Sequence, residues 1–140
     1  PKEIPMTLHA GACLCGKVRY EARGEVLFSV ICHCRDCQRA SGSFGVPVMG
    51  VRKSSFTVSG ATKVTTSVGG SGQAALRHFC ASCGSLLFGT PAVAPDLITL
   101  YVGSLDRLDA FEPTAAIFTR SRPAWAKPAH GLVEFDGPPQ

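Results

Sequence analysis

Three cysteines within six residues, Cys32, Cys34 and Cys37, have the residue type and spacing best suited to chemistry in this chain. The cluster is denser than ordinary core packing requires, and closely spaced thiolates are typical ligands of a soft metal ion such as zinc. Three thiolates leave one position of a tetrahedral zinc for water or substrate, and an open position distinguishes a catalytic zinc from a structural one. The segment therefore predicts an open, catalytic zinc site.

The other four cysteines form two pairs, Cys13 with Cys15 and Cys80 with Cys83, and four thiolates complete a structural zinc. A glycine follows Cys15 and Cys83, as suits turns that need a positive φ beside a metal. Two alternatives remain: unrelated pairs of buried thiols, and a redox pair at Cys80 and Cys83. The redox alternative is disfavoured because the segment after Cys83 has the pattern of a strand, whereas redox Cys-x-x-Cys pairs open a helix.

A fourth protein ligand to the three-cysteine site would have to come from elsewhere. His33 lies between two of the ligands and is expected to point to the opposite side of an extended segment. His9, His78 and His130 are each explained more simply as structural or surface histidines. The site is therefore expected to be open.

The charge of such a site limits its chemistry. Three thiolates on a divalent zinc give a net charge of about −1, so the ion is a weaker Lewis acid than one held by three imidazoles. Binding a further thiol and keeping it deprotonated is favoured over activating water. An open site also holds its metal less tightly than a closed one, so partial occupancy is expected.

Arg35 and Arg39 lie four residues apart beside the three-cysteine site, so one helix face would present both guanidinium groups. They are candidates for contacting the carboxylates of a thiol substrate, and a solvated basic face is the simpler alternative. The segment Ser121–Trp125 places a cation near the only tryptophan, which lines a pocket or simply packs.

The chain is rich in residues that interrupt regular structure, with 15 Gly and 10 Pro between short segments of Val, Thr, Phe and Leu. This pattern favours a mainly β, antiparallel single domain over residues 1–140, with a loose tail from about residue 136. One short helix is predicted from Asp36 to Ser41, ended by Gly42, and a loop from Ser67 to Gln73. The predicted strands are Lys17–Arg23, Val26–Ile31, Phe44–Val51, Phe56–Ser59, Lys63–Val68, Ala75–Phe79, Ser85–Phe88 and Leu97–Val102.

Composition narrows the function further. With 45% hydrophobic and 17% charged residues the chain is expected to be globular, and no apolar run approaches the ~20 residues of a membrane span. Residues 1–5 have no secretory-signal pattern, so a cytoplasmic location is expected, where clustered cysteines are metal ligands more often than disulfides. A net charge of +4 without a basic block argues against a nucleic-acid partner and suits a small anionic substrate.

Four segments together resemble the glutathione-dependent formaldehyde-activating (GFA) family, a domain also found in centromere protein V: Gly11–Val18, Cys32–Gly42, Phe79–Ser85 and Ile117–Trp125. The resemblance implies a zinc-held β-tent fold. It implies a structural zinc on the four paired cysteines and a catalytic zinc on the cluster of three. The family's named reaction joins glutathione to formaldehyde, giving S-hydroxymethylglutathione, and is classed as a carbon-sulfur lyase in reverse.

Three functional hypotheses follow. The first is an enzyme that adds a glutathione-like thiol to a small aldehyde at the open zinc. The second is a zinc-stabilised module that binds a protein or nucleic acid without catalysis, which a fourth protein ligand would favour. The third is storage of glutathione or metal without turnover.

Overall fold

The computed structural model describes residues 7–68, 72–128 and 130–139, which form a mainly β structure with one α-helix in that range. Each of the eight predicted strands corresponds to one observed strand, and β5 has the predicted bounds. The elements are β1 (Leu8–Ala12), β2 (Arg19–Arg23), β3 (Phe28–Cys32), α1 (Arg35–Ser41), β4 (Val46–Arg52), β5 (Phe56–Ser59), β6 (Thr62–Val68), β7 (Ala74–Cys80), β8 (Leu86–Pro91), β9 (Leu97–Tyr101), β10 (Ala115–Ile117) and β11 (Val133–Glu134).

The strands form two sheets. The smaller has the order β1-β2-β5, and the larger has the order β11-β10-β3-β4-β9-β8-β7-β6. Pairing is antiparallel, as expected, except that β10 lies parallel to both β3 and β11. Parallel neighbours need a long connection, and the chain between β3 and β10 includes α1 and the six strands β4 to β9.

Three strands were not predicted from the sequence: β1, β10 and β11. Each is short, and β1 (LHAGA) and β10 (AAI) consist largely of Ala and Gly, which have low intrinsic strand preference. They form strands because neighbouring strands offer hydrogen-bonding partners, which is a tertiary effect.

Alternation along the strands of the larger sheet separates two clusters of buried side chains. On β4, Met49 and Val51 pack in the cluster that contains Tyr20 of the smaller sheet. Val46 and Val48, on the opposite face of β4, pack in a second cluster that contains Cys32, Cys34 and Cys37. The three-cysteine cluster therefore lies on the face of the larger sheet away from the core between the sheets.

Helix α1 begins one residue before its predicted start because Cys34 caps it. The Cys34 Sγ atom accepts a hydrogen bond from the backbone N–H of Cys37 at 3.3 Å. At the other end Gly42 adopts a left-handed conformation, with φ 75°, and its N–H donates to the Gln38 carbonyl at 2.8 Å. The predicted glycine cap is confirmed.

The predicted loop over Ser67–Gln73 is shorter in the structure, because Ser67 and Val68 belong to β6 and pair with β7. Residues 69–71 of that loop, and the N-terminal segment predicted to lack a signal, lie outside the described residues. The single domain over residues 1–140 and its loose tail stay predictions. In the described ranges, no helix has both the length and the apolar character needed to cross a membrane.

Candidate metal centres

Two turns, one from each sheet, bring together the four paired cysteines. Cys13 and Cys15 lie in the turn between β1 and β2, while Cys80 and Cys83 lie at the turn between β7 and β8. All four sulfurs lie within 4.8 Å of one another, and all four thiols are free. The distances of 3.5 Å from Cys13 to Cys15 and 3.8 Å from Cys15 to Cys80 match the edge of about 3.8 Å of a tetrahedron with ~2.3 Å Zn–S bonds. The donor set fits a zinc ion.

Backbone N–H groups of the two turns point at the sulfurs. The Val18 N–H donates to Cys13 Sγ at 3.2 Å, and the Cys83 N–H donates to Cys80 Sγ at 3.4 Å. The glycines that follow the pairs have φ values of 80° at Gly16 and 79° at Gly84, so the predicted positive φ is confirmed at both. Such N–H···S contacts stabilise thiolates without using any charged side chain.

Ser85 connects the two turns. Its Oγ atom accepts a hydrogen bond from the Leu14 N–H at 3.0 Å and lies 3.2 Å from Cys83 Sγ. The hydrogen bonds from the Ser85 hydroxyl and from backbone N–H groups lower the pKa of the Cys83 thiol to about 5. This turn is therefore suited to presenting a thiolate to a cation.

The second centre is buried. Cys32 ends β3, Cys34 caps α1 and Cys37 lies in its first turn, and their sulfurs lie within 4.8 Å of one another. The three residues are 5–7% exposed. Hydrogen bonds with Cys32 and Cys37 hold the pKa of the Cys34 thiol well below its usual value, whereas those with Cys34 and Cys37 raise the pKa of Cys32.

The structure brings no fourth histidine, cysteine or carboxylate of the described ranges into this cluster. His33 is turned toward Phe44, whose carbonyl lies 3.1 Å from His33 Nδ1. His78 Nδ1 bonds to Thr62 Oγ1 at 2.9 Å, and its ring stacks on Phe88. His9 is buried and His130 is exposed, both outside the cluster.

A cavity of about 210 Å³ opens beside two of the three cysteines. Cys32 and Cys37 form part of its wall, and Phe28 and Phe118 are among its apolar residues. Its polar groups come from Arg77, Thr90, Thr99 and Tyr101. Arg77 is 6% exposed and donates from Nη2 to Cys37 Sγ at 3.4 Å. The sulfur cluster therefore faces a small, mostly apolar space with one buried cation.

Sequence reasoning did not single out three of these residues. Arg77 and Tyr101 lie 40 or more positions from the cysteines they adjoin, on β7 and β9. Among the described residues, Phe118 is the one non-glycine residue with a positive φ, which is 53°. The sequence did contain a hint of the role of Arg77, because it lies inside the largely apolar strand AALRHFC. A charged residue in such a strand is unusual and, when buried, is normally paired with another group. The sequence held no comparable signal for Tyr101 or Phe118.

The candidate substrate arginines lie at a different cavity. Arg35 and Arg39 line a space of about 570 Å³ on the outer side of α1, together with Phe44 and Trp125. The rings of Phe44 and Trp125 meet edge to face at 5.1 Å, so the Ser121–Trp125 segment does line a pocket. None of the three cysteines contributes to the wall of this cavity.

A buried amide joins α1 to that segment. The Nε2 group of Gln38 lies within hydrogen-bonding distance of three backbone carbonyls, those of His33, Phe44 and Ser121, at 3.0, 3.1 and 3.0 Å. Gln38 is 8% exposed. One side chain thus fixes the helix that carries Cys34 and Cys37 against the C-terminal part of the chain.

The protein thus has a mainly β fold with two cysteine clusters, one of four and one of three sulfurs, whose geometry is suited to binding metal ions. Residues 8–121 match the model of a family described as glutathione-dependent formaldehyde-activating enzyme. The chain therefore belongs to the GFA family, which confirms the resemblance seen in the sequence. No match was found among curated proteins.

Among solved structures, the chain is similar to a Rhodobacter sphaeroides protein determined by crystallography in a structural genomics programme. The two share 22% identity, and the similarity covers 90% of this chain and 98% of the other, with a TM-score of 0.52. At this identity the comparison supports the fold.

Proposed function

We propose that this protein adds a glutathione-like thiol to a small aldehyde, as a zinc-dependent synthase of the S-(hydroxymethyl)glutathione type and a carbon-sulfur lyase in reverse. The observation that carries the proposal is the buried three-sulfur cluster, open on one side to a small cavity and without a fourth ligand among the described residues. Membership of the GFA family supports glutathione and formaldehyde as the substrates.

In the proposed reaction, the thiol releases its proton to solvent and its sulfur attacks the carbonyl carbon of the aldehyde. A carbon-sulfur bond forms, the carbonyl π bond breaks, and its electron pair moves to oxygen. The alkoxide then takes a proton from solvent, which leaves a hydroxymethyl thioether and balances the first proton. Zinc held by Cys32, Cys34 and Cys37 supplies, when bound, the positive charge that keeps the incoming thiol deprotonated.

The cavity limits what can react. A volume of about 210 Å³ with apolar walls at Phe28, Val48 and Ile117 is large enough for a small aldehyde. The bulk of a tripeptide thiol has to stay outside this space. Arg35 and Arg39 are proposed to bind its carboxylates at the other cavity, which they line together with Phe44 and Trp125.

Cys13, Cys15, Cys80 and Cys83 are proposed to hold a structural zinc, which gives two zinc ions per chain. The open site is proposed to lose its metal first under a weak chelator. All seven cysteines are free, which suits a reducing compartment, and we propose a cytoplasmic location.

Isothermal titration of glutathione into zinc-loaded protein tests the proposal, with Cys34→Ser as the matched variant and the zinc content of both measured. We expect heat of binding in the parent protein, little in Cys34→Ser, and a hydroxymethyl thioether signal by NMR when ¹³C-formaldehyde is added to the parent. Equal heats from the two proteins would contradict the mechanism. An Arg39→Gln variant that binds glutathione as tightly as the parent would remove the proposed carboxylate contact.

A further inference from the structure

Arg77 is a buried cation without a carboxylate partner in the described part of the chain. Its side chain is 6% exposed, and none of the ion pairs there includes it. A charge removed from water without a counter-charge is costly, so buried cations are found beside anions. The anion that balances Arg77 has to be sought among its contacts.

Those contacts leave one source of negative charge. Nη1 donates to Ser67 Oγ at 2.7 Å, and Nε is buried without a partner among the described residues. The Tyr101 phenol also interacts with Arg77, but burial raises its pKa, so it stays neutral. The remaining contact is from Nη2 to Cys37 Sγ, at 3.4 Å. The counter-charge is therefore the three-sulfur cluster.

The guanidinium group of Arg77 stays protonated and positively charged although it is buried. Arginine is not deprotonated in proteins, even when it is buried. The guanidinium also lines the 210 Å³ cavity next to Cys32 and Cys37, so its charge acts where an incoming ligand would lie.

We propose that Arg77 neutralises the three-thiolate zinc site and thereby makes its open position selective for anionic ligands. The inference rests on the proposed function for the presence of the metal and the open position. A divalent ion with three thiolates carries a net charge of about −1, and one guanidinium brings the site to about zero. An anion such as a thiolate then meets a neutral site, whereas without Arg77 it meets a negative one. Arg77 acts through Cys37 and is a positioning residue.

The test uses the cobalt(II)-substituted protein, whose visible spectrum changes when a fourth ligand binds. Azide serves as the anionic probe and imidazole, at pH 8, as the neutral probe. The neutral variants are Arg77→Gln and Arg77→Met; the second keeps the apolar stem in case the first does not fold. Arg77→Lys retains the charge, and Arg23→Gln removes an exposed arginine of β2 as the matched control.

We expect the azide Kd to rise on the order of 10- to 100-fold in the neutral variants, because the bound anion loses its attraction to a positive charge a few ångströms away. The imidazole Kd is expected to stay within about twofold of the parent value, since a neutral ligand gains little from a compensating charge. Arg77→Lys is expected to recover most of the azide affinity, and Arg23→Gln to change neither constant. Equal changes in both constants, or no change in either, would overturn the proposal.

The same samples separate this inference from the proposed function. Loss of azide selectivity in the neutral variants, with no adduct from glutathione and formaldehyde in the parent, would uphold the role of Arg77 and contradict the proposed reaction. Adduct formation with unchanged azide selectivity would do the opposite.

Discussion

The two cysteine centres of this protein differ in how their thiolates are balanced. At the four-sulfur centre, backbone N–H groups of the local turns, such as those of Val18 and Cys83, point at the sulfurs. At the three-sulfur centre, the described residues provide one backbone N–H, from Cys37, and the guanidinium of Arg77 on a distant strand. The sulfurs of the first centre are thus stabilised by nearby backbone groups, whereas the charge of the second centre depends on one side chain, that of Arg77.

The centres also differ in what they connect. The four-sulfur centre joins the β1–β2 turn of the smaller sheet to the β7–β8 turn of the larger one, so a metal there ties the sheets together. The three cysteines of the other centre lie within six residues, from the last residue of β3 to the first turn of α1. A metal there closes almost no loop and contributes little to holding distant parts of the chain.

The largest expected effect therefore comes from the four-sulfur centre. Cys80→Ser removes a ligand of the proposed structural zinc, and structural zinc contributes on the order of 10 kcal/mol to folding in zinc-finger peptides. We expect the midpoint of thermal unfolding to fall by about 10 °C or more, measured by circular dichroism. Cys32→Ser, the matched change at the open centre, is expected to lower it much less. Equal losses would remove the structural distinction between the centres.

The next effect concerns the support of the three-sulfur centre. Gln38→Glu replaces the amide donor by a carboxylate that faces the backbone carbonyls of His33, Phe44 and Ser121. We expect a loss of about 3 kcal/mol in the free energy of unfolding, measured by urea denaturation, because buried acceptors would face an acceptor-only group.

The apolar variant Gln38→Met is the control, since it leaves the carbonyls unpaired without adding a charge. Its loss is expected to be smaller than that of Gln38→Glu. Equal stability of the two variants would show that the three contacts of the amide do not hold α1 in place.

A smaller effect tests the turn of the four-sulfur centre. Gly84 has φ 79° and open space where a Cβ would lie, so Gly84→Ala adds backbone strain without a clash. We expect a loss of ~1 kcal/mol in the free energy of unfolding. Gly103→Ala is the matched control, because Gly103 also has open space but no positive φ. A loss as large at Gly103 would show that strain at the metal turn is not the cause.

The smallest effect is on the pH dependence of stability near the C-terminal segment. Arg122 donates to Glu134, at 2.6 Å, and this contact lowers the pKa of the Glu134 carboxyl. A lowered pKa stabilises the fold above the unfolded-state pKa, and that contribution is lost as the pH falls through the folded-state pKa. Glu134→Gln is expected to lower the melting temperature slightly at pH 7 and not at pH 3. A difference that persists at the acidic pH would contradict this assignment.

Sequence patterns alone determined how the cysteines group, where two glycines take a positive φ, and roughly where eight strands and the helix lie. The spacing of the seven cysteines separated them into four and three, and the glycines after Cys15 and Cys83 predicted the positive φ that the structure shows. Strand bounds came within a few residues for eight strands, and Gly42 marked the end of α1. These features depend on residues that are close in the chain, where backbone sterics and ligand spacing act directly.

Only the tertiary structure decided what surrounds the second centre. Arg77 reaches Cys37 because the strand order β4-β9-β8-β7 and the register of β7 place its side chain on the cysteine face of the larger sheet. Gln38 reaches Ser121 across 83 positions of sequence, and β10 becomes a strand because β3 offers it partners. Such contacts depend on sheet order and on which face each residue occupies. The spacing of the cysteines in the sequence thus indicates the candidate metal ligands, whereas the order and register of the strands place Arg77 and the cavity beside them.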